Sequence, residues 1–196
     1  MTTRRVSWRR SDSLEADEHA TLTVRAGGLS LVGTVIGGEA GIPFRIEYRV
    51  LADGIGHTTA VNVRDIRGFE TRAVTLTRDP KGTWTIDGKA ARALRGCTDV
   101  DLGCSPSTNT LPIRRLRLAV GGSHTIKAAW MRFPELTVEK AEQTYKRLDE
   151  FTYRYSSGTF EAELTVDDEG LVAEYAEWRR TGVAIGPDDT EPLDAR

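Results

Sequence analysis

Residues Phe44–Val50 read FRIEYRV, and the alternation within them decides the fold class. Phe44, Ile46, Tyr48 and Val50 fall on one side of an extended chain, with Arg45, Glu47 and Arg49 on the other. That period of two marks an antiparallel strand with one buried face. The pattern recurs upstream at Ala20–Val24 and downstream at Thr58–Ile66 and Phe69–Thr77. Thr83–Ile86 follows the turn Asp79-Pro80-Lys81-Gly82 and ends at Asp87-Gly88, a hairpin signal. Ile126, Ala128 and Trp130 alternate with Lys127, Ala129 and Met131. Phe151, Tyr153 and Tyr155 line up, and Ser156-Ser157-Gly158 turns the chain into Phe160, Ala162, Leu164 and Val166. Asp167-Asp168-Glu169-Gly170 then leads into Leu171–Trp178. So many strands at short spacing predict a mainly β chain, a meander that forms a sandwich, roll or barrel.

Helical signals are scarce. The best is Thr137–Asp149 (TVEKAEQTYKRLD), with Thr137 as N-cap and Val138, Ala141, Tyr145 and Leu148 at helical spacing. An extended reading of Thr144–Leu148 stays open. KAARALR, residues 89–95, is a second place for a helical turn. There is no βαβ rhythm and no glycine-rich phosphate loop, so no nucleotide cofactor is expected. The expected domain runs from residue 1 to 186, with 187–196 as a flexible tail.

Composition narrows the classes. The chain has 196 residues, with 27 basic against 29 acidic side chains and a net charge of −2, which argues against a nucleic-acid binder held by phosphate contacts. No apolar run follows the basic N-terminal residues and none is long enough to span a bilayer, so the expected compartment is the cytoplasm. Cys97 and Cys104 are expected as free thiols there. With His19, His57 and His124 far apart in sequence, no metal site is expected.

Residues 96–118, GCTDVDLGCSPSTNTLPIRRLRL, carry the chemistry. If Cys97–Leu102 is extended, Asp99 and Asp101 share one face about 6.6 Å apart. Two adjacent carboxylates need a cation, backbone donors or water. Pro112 favours an extended Leu111, and an extended 111–118 puts Arg114 on the apolar side with Leu116 and Leu118. A charge on an apolar face needs a partner. Either Asp99 or Asp101 pairs with Arg114 or Arg115 and pins the chain, or the arginine meets an anionic ligand.

DVDLGCSPSTNTLPIRRL resembles the signature of a bacterial family of uncharacterised proteins called putative glycolipid-binding proteins. The resemblance lies in Asp99, Asp101, Leu102 and the run Asn109–Leu116. It extends to Gln143 and Tyr145, the aromatic strand Phe151–Tyr155 and the turn Val166–Val172, and covers about Trp8 to Trp178. It implies an antiparallel spiral β-roll, an incompletely closed barrel with one or two short helices, similar to lipoprotein carriers of the bacterial envelope. It further implies non-enzymatic binding of a lipid or glycolipid in the concave face, with no cofactor. Asp99, Asp101, Asn109, Arg114 and Arg115 are then candidates for head-group contacts. Trp130, Tyr153 and Tyr155 are candidates for the apolar lining, with Phe44, Tyr48, Trp84 and Trp178 as further aromatics that equally suit an ordinary core. Two alternatives stand beside this reading. One is a hydrolase acting on a glycoside or ester through Asp99 and Asp101. The other is an interaction module that forms a homodimer through an exposed sheet edge.

Overall fold

A computed structural model describes residues 1–12 and 14–186; the expected tail, 187–196, lies outside the described residues. The strands in chain order are β1 (Thr2–Arg10), β2 (Ala16–Arg25), β3 (Gly28–Glu39), β4 (Ile42–Asp53) and β5 (Thr58–Arg67). Then come β6 (Glu70–Arg78), β7 (Trp84–Ile86), β8 (Lys89–Ala90) and β9 (Asp99–Leu102). The helix α1 (Thr110–Leu116) leads to β10 (Ser123–Met131), β11 (Val138–Arg147), β12 (Thr152–Ser157), β13 (Phe160–Val166), β14 (Val172–Tyr175) and β15 (Trp178–Ile185). All belong to one sheet in the order β8-β7-β6-β5-β4-β3-β2-β1-β15-β14-β13-β12-β11-β10-β9.

Pairing is antiparallel throughout except where β9 lies parallel to β10. The sheet curls until its far end reaches β5 without closing into a barrel. There the Thr58 N–H donates to the Thr98 carbonyl at 2.9 Å, and the Val100 N–H donates to the Thr58 hydroxyl at 3.1 Å. Two hydrogen bonds thus lock the overlap of a spiral roll.

The predicted alternation sets the inside and the outside. Phe44, Ile46, Tyr48 and Val50 of β4 are buried, while Arg45 and Arg49 are exposed. Trp8 and Trp84 are wholly enclosed, and each indole N–H finds a carbonyl, of Val172 at 2.9 Å and of Cys97 at 3.0 Å. Both cysteines are buried free thiols. No helix among the described residues is long and apolar enough to cross a membrane.

Three expectations are corrected. Thr137–Asp149 is not a helix: Val138–Arg147 is strand β11, paired with β10 and β12. Its good helix formers lose to tertiary pairing, which sets Tyr145 opposite Tyr155 and buries Gln143. The segment 111–118 is not extended: Thr110–Leu116 is helical, following a 3-10 turn at Ser107–Asn109. Pro112 falls in the first turn, where its missing N–H costs nothing. The run Leu171–Trp178 is not one strand but breaks at Ala176, φ 49, into the hairpin of β14 and β15. β1 and β3 are not among the expected strands, and the pairing of β1 with β2 and β15 joins the two halves of the sheet.

Candidate functional site

The motif segment does not line an open concavity. It fills the roll. Residues 104–113 are buried without exception, and Cys104, Leu111 and Ile113 pack into the cores formed by the surrounding strands. The concave face proposed for a ligand is therefore occupied by the chain itself.

Four sets of polar contacts hold this plug. Asp99, on β9, receives the Arg115 guanidinium at 2.5 Å and the Thr98 hydroxyl at 2.7 Å. Asp101, on the same strand face, accepts from Gln143 Nε2 at 2.6 Å and from the Thr108 hydroxyl at 3.4 Å. Burial nonetheless pushes the Asp101 carboxyl up to about 6, against the lowering effect of Gln143 and Thr108. Asn109 accepts from the Tyr145 hydroxyl at 2.7 Å and donates to the Pro106 carbonyl at 3.2 Å.

The fourth set ties the plug to the opposite wall. Glu18, on β2, points inward and is buried. Its Oε1 accepts from the Tyr48 hydroxyl and, at 2.7 Å, from the Ser105 hydroxyl. Its Oε2 has no hydrogen-bond partner among the described residues. Burial raises the Glu18 pKa to about 7, with the hydroxyls of Tyr48, Ser105 and Ser107 opposing the shift. Tyr48 reaches Glu18 by crossing β3 at Gly33, where a Cβ would run into the tyrosine ring. A glycine is needed at that crossing.

The open space lies at one end of the roll, where α1 ends. A cleft of about 660 Å³ is bounded there by β1, β2, the end of α1, the β11–β12 turn and the β13–β14 turn. Arg114 is half-buried on its wall, donates to the Glu169 carbonyl and has the Glu169 carboxylate 3.9 Å away. Tyr153 lies against it, with the Arg147 guanidinium 5.7 Å from the ring centre. Phe151 forms the rim and is exposed. Glu150 and Asp168 also line it, and neither side chain forms a hydrogen bond or ion pair among the described residues.

Of the eight residues singled out in the sequence, Arg114 and Tyr153 meet in this cleft. Arg115 reaches the neighbouring one, from its pair with Asp99. Asp99, Asp101 and Asn109 are absorbed in holding the plug. Trp130 is half-buried elsewhere, with the Arg132 guanidinium 5.3 Å from its ring. Tyr155 packs edge-on against Tyr145 and Tyr175, at 5.2 and 5.8 Å. The other cleft residues, Arg4, Arg147, Phe151 and the 167–170 turn, come from separate strand ends that no local pattern joins.

A chain with this roll, plug and mouth is a β-roll protein built on the Asp99–Leu116 motif. It belongs to the family described as "Putative glycolipid-binding", whose model matches residues 5–180. The crystal structure of a DUF1089 family protein from Pseudomonas aeruginosa is similar to it, at 33% identity and a TM-score of 0.74. That match covers 86% of this chain and 92% of the other. A comparison with curated proteins gives no match.

Proposed function

We propose that this chain binds a glycolipid without transforming it, and that the sugar sits in the cleft at the end of α1. The observation that carries the reading is the pairing of partner-free carboxylates with an exposed aromatic ring in one cleft: Glu150 and Asp168 beside Phe151, with the buried Tyr153 behind them. Carboxylates accept hydrogen bonds from the hydroxyls of a pyranose, and an aromatic ring such as Phe151 covers its C–H face. The volume suits a small ligand or head group. Because the plug fills the roll, the acyl chains stay outside it, against the rim or in the lipid surface that supplies the molecule. The family's description supports the glycolipid class, and the likeness to the DUF1089 protein supports the frame that holds the cleft.

The contacts of Asp99 with Arg115 and of Asp101 with Gln143 and Thr108 favour this reading over the hydrolase alternative.

Native mass spectrometry of the purified chain, followed by organic extraction, tests the reading. A near-stoichiometric glycolipid adduct that is lost in Asp168→Ala is expected. A mass equal to the bare chain, unchanged when galactosyl diacylglycerol is added, would count against it.

A further inference from the structure

A second cleft, of about 440 Å³, opens beside the first and shares Val24, Arg114 and Arg117 with it. It lies between the β2–β3 and β4–β5 ends and the outer side of α1. Its charge is one-sided. Arg25, Arg114, Arg115 and Arg117 line it against one carboxylate, Asp53. Asp53 turns inward to its own loop, its Oδ1 accepting the N–H groups of Ile55 at 3.1 Å and His57 at 2.9 Å.

The four arginines are not equivalent. Arg115 is neutralised from behind by Asp99, and Arg114 leans on Glu169. Arg25 and Arg117 are exposed, and neither has a carboxylate partner among the described residues; the Arg25 Nε meets the Met1 sulfur at 3.2 Å. Burial lowers the Arg114 pKa, Glu169 opposes the shift, and the nearby charge of Arg117 adds to it. An anion between these groups would relieve that repulsion.

Two backbone features fix the arrangement. Arg117 caps α1 in the left-handed region, φ 45, a place where glycine is the usual residue. Gly56, φ 88, presses the β4–β5 turn onto the Arg115 stem, where a Cβ would lie 3.0 Å from the Arg115 Cβ. The cleft therefore presents guanidinium groups on a framed surface, the geometry that suits tetrahedral oxyanions. Ile55, 69% exposed, stands on its edge as an apolar neighbour for a lipid backbone.

We propose that this second cleft binds a phosphate or sulfate ester, so that the ligand carries an anionic group beside the sugar seated in the first. The lipid part rests on the reading under Proposed function; the anion site does not.

Vesicle co-sedimentation of the full chain separates the two. Phosphatidylcholine vesicles carry either phosphatidylinositol or neutral galactosyl diacylglycerol. Binding to the phosphatidylinositol vesicles is expected to be the tighter and to weaken as salt is raised. Arg25→Ala and Arg117→Ala, both at exposed positions, are each expected to lower that affinity about tenfold, and Arg25→Ala, which lines the second cleft alone, is expected to leave binding to the neutral vesicles unchanged. Equal affinity for both vesicles, or arginine variants that bind phosphatidylinositol like the parent, would overturn the anion site. Loss of binding to the neutral vesicles in Asp168→Ala alone would in that case leave the sugar cleft standing. Inorganic phosphate that binds in an arginine-dependent manner, with no binding to either vesicle, would keep the anion site and overturn the lipid reading.

Discussion

Asp99 and Arg115 face each other at 2.5 Å, one on β9 and the other on α1, and the pair fastens the helix inside the roll to the strand that ends the sheet. Their side chains are 1% and 13% exposed, so water screens little of the interaction. Removing one partner strands the other. Asp99→Asn is expected to lower the unfolding free energy by about 3 kcal/mol. A urea midpoint equal to that of the parent would show that the pair does not hold the plug.

Glu18 makes stability depend on pH in an unusual direction. Its pKa is about 7 in the folded chain against 4.5 for a free glutamate. Between those values the unfolded chain releases a proton that the folded one keeps, so stability is full below pH 4.5 and falls as pH rises to 7. The loss is roughly 3 kcal/mol. Asp101, raised from 3.8 to about 6, adds a fall of the same sign in the window between those values. Asp12, held low by Arg10, acts in the opposite sense but only below its ordinary value of 3.8. Urea unfolding at pH 5 and pH 8 is expected to show the greater stability at pH 5, with a smaller difference in Glu18→Gln. A variant with the parent's pH slope would remove Glu18 from the account.

Gly33 is the gap through which Tyr48 reaches Glu18. Gly33→Ala places a methyl group in the tyrosine ring's position, and the ring is held from both sides by Glu18 and by Ser107 at 2.7 Å. A cost of about 2 kcal/mol is expected. Combining it with Tyr48→Ala tests the mechanism: the glycine substitution is expected to cost little once the ring is gone. Full additivity of the two would contradict the crossing.

Arg114 and Arg117 are expected to separate stability from binding. Arg114 is half-buried and bonded to the Glu169 carbonyl, whereas Arg117 is exposed. Arg114→Ala should lower the melting temperature, and Arg117→Ala should leave it in place while weakening anionic ligands. Equal melting of the two variants would show that the Glu169 contact carries no weight.

The alternation along β4 was legible because its inner face is apolar and its outer face charged, so a period of two appears in the residues themselves. The aspartate–arginine pin was legible as a need for partners, since adjacent carboxylates and a cation on an apolar segment must be satisfied somewhere. Arg114 does not stand on the apolar face of an extended strand, because Thr110–Leu116 is helical. The proline that suggested extension sits where a helix tolerates it. β11 was hidden by residues that favour helices in isolation and pair as a strand only because β10 and β12 flank it. Glu18 gave no signal: a lone glutamate in an alternating strand reads as solvated, and its burial follows from a plug nearly ninety residues away. The mouth was illegible for a similar reason, since strand ends far apart in sequence meet only after the sheet has curled.

Hydrogen–deuterium exchange in the presence and absence of galactosyl diacylglycerol vesicles tests the central claim most directly. Protection is predicted at the end of α1, residues 113–117, and in the turns at 150–153 and 167–170, which enclose the cleft. Protection confined to the opposite end of the roll, around residues 15–17 and 36–44, with no change at the mouth, would contradict it.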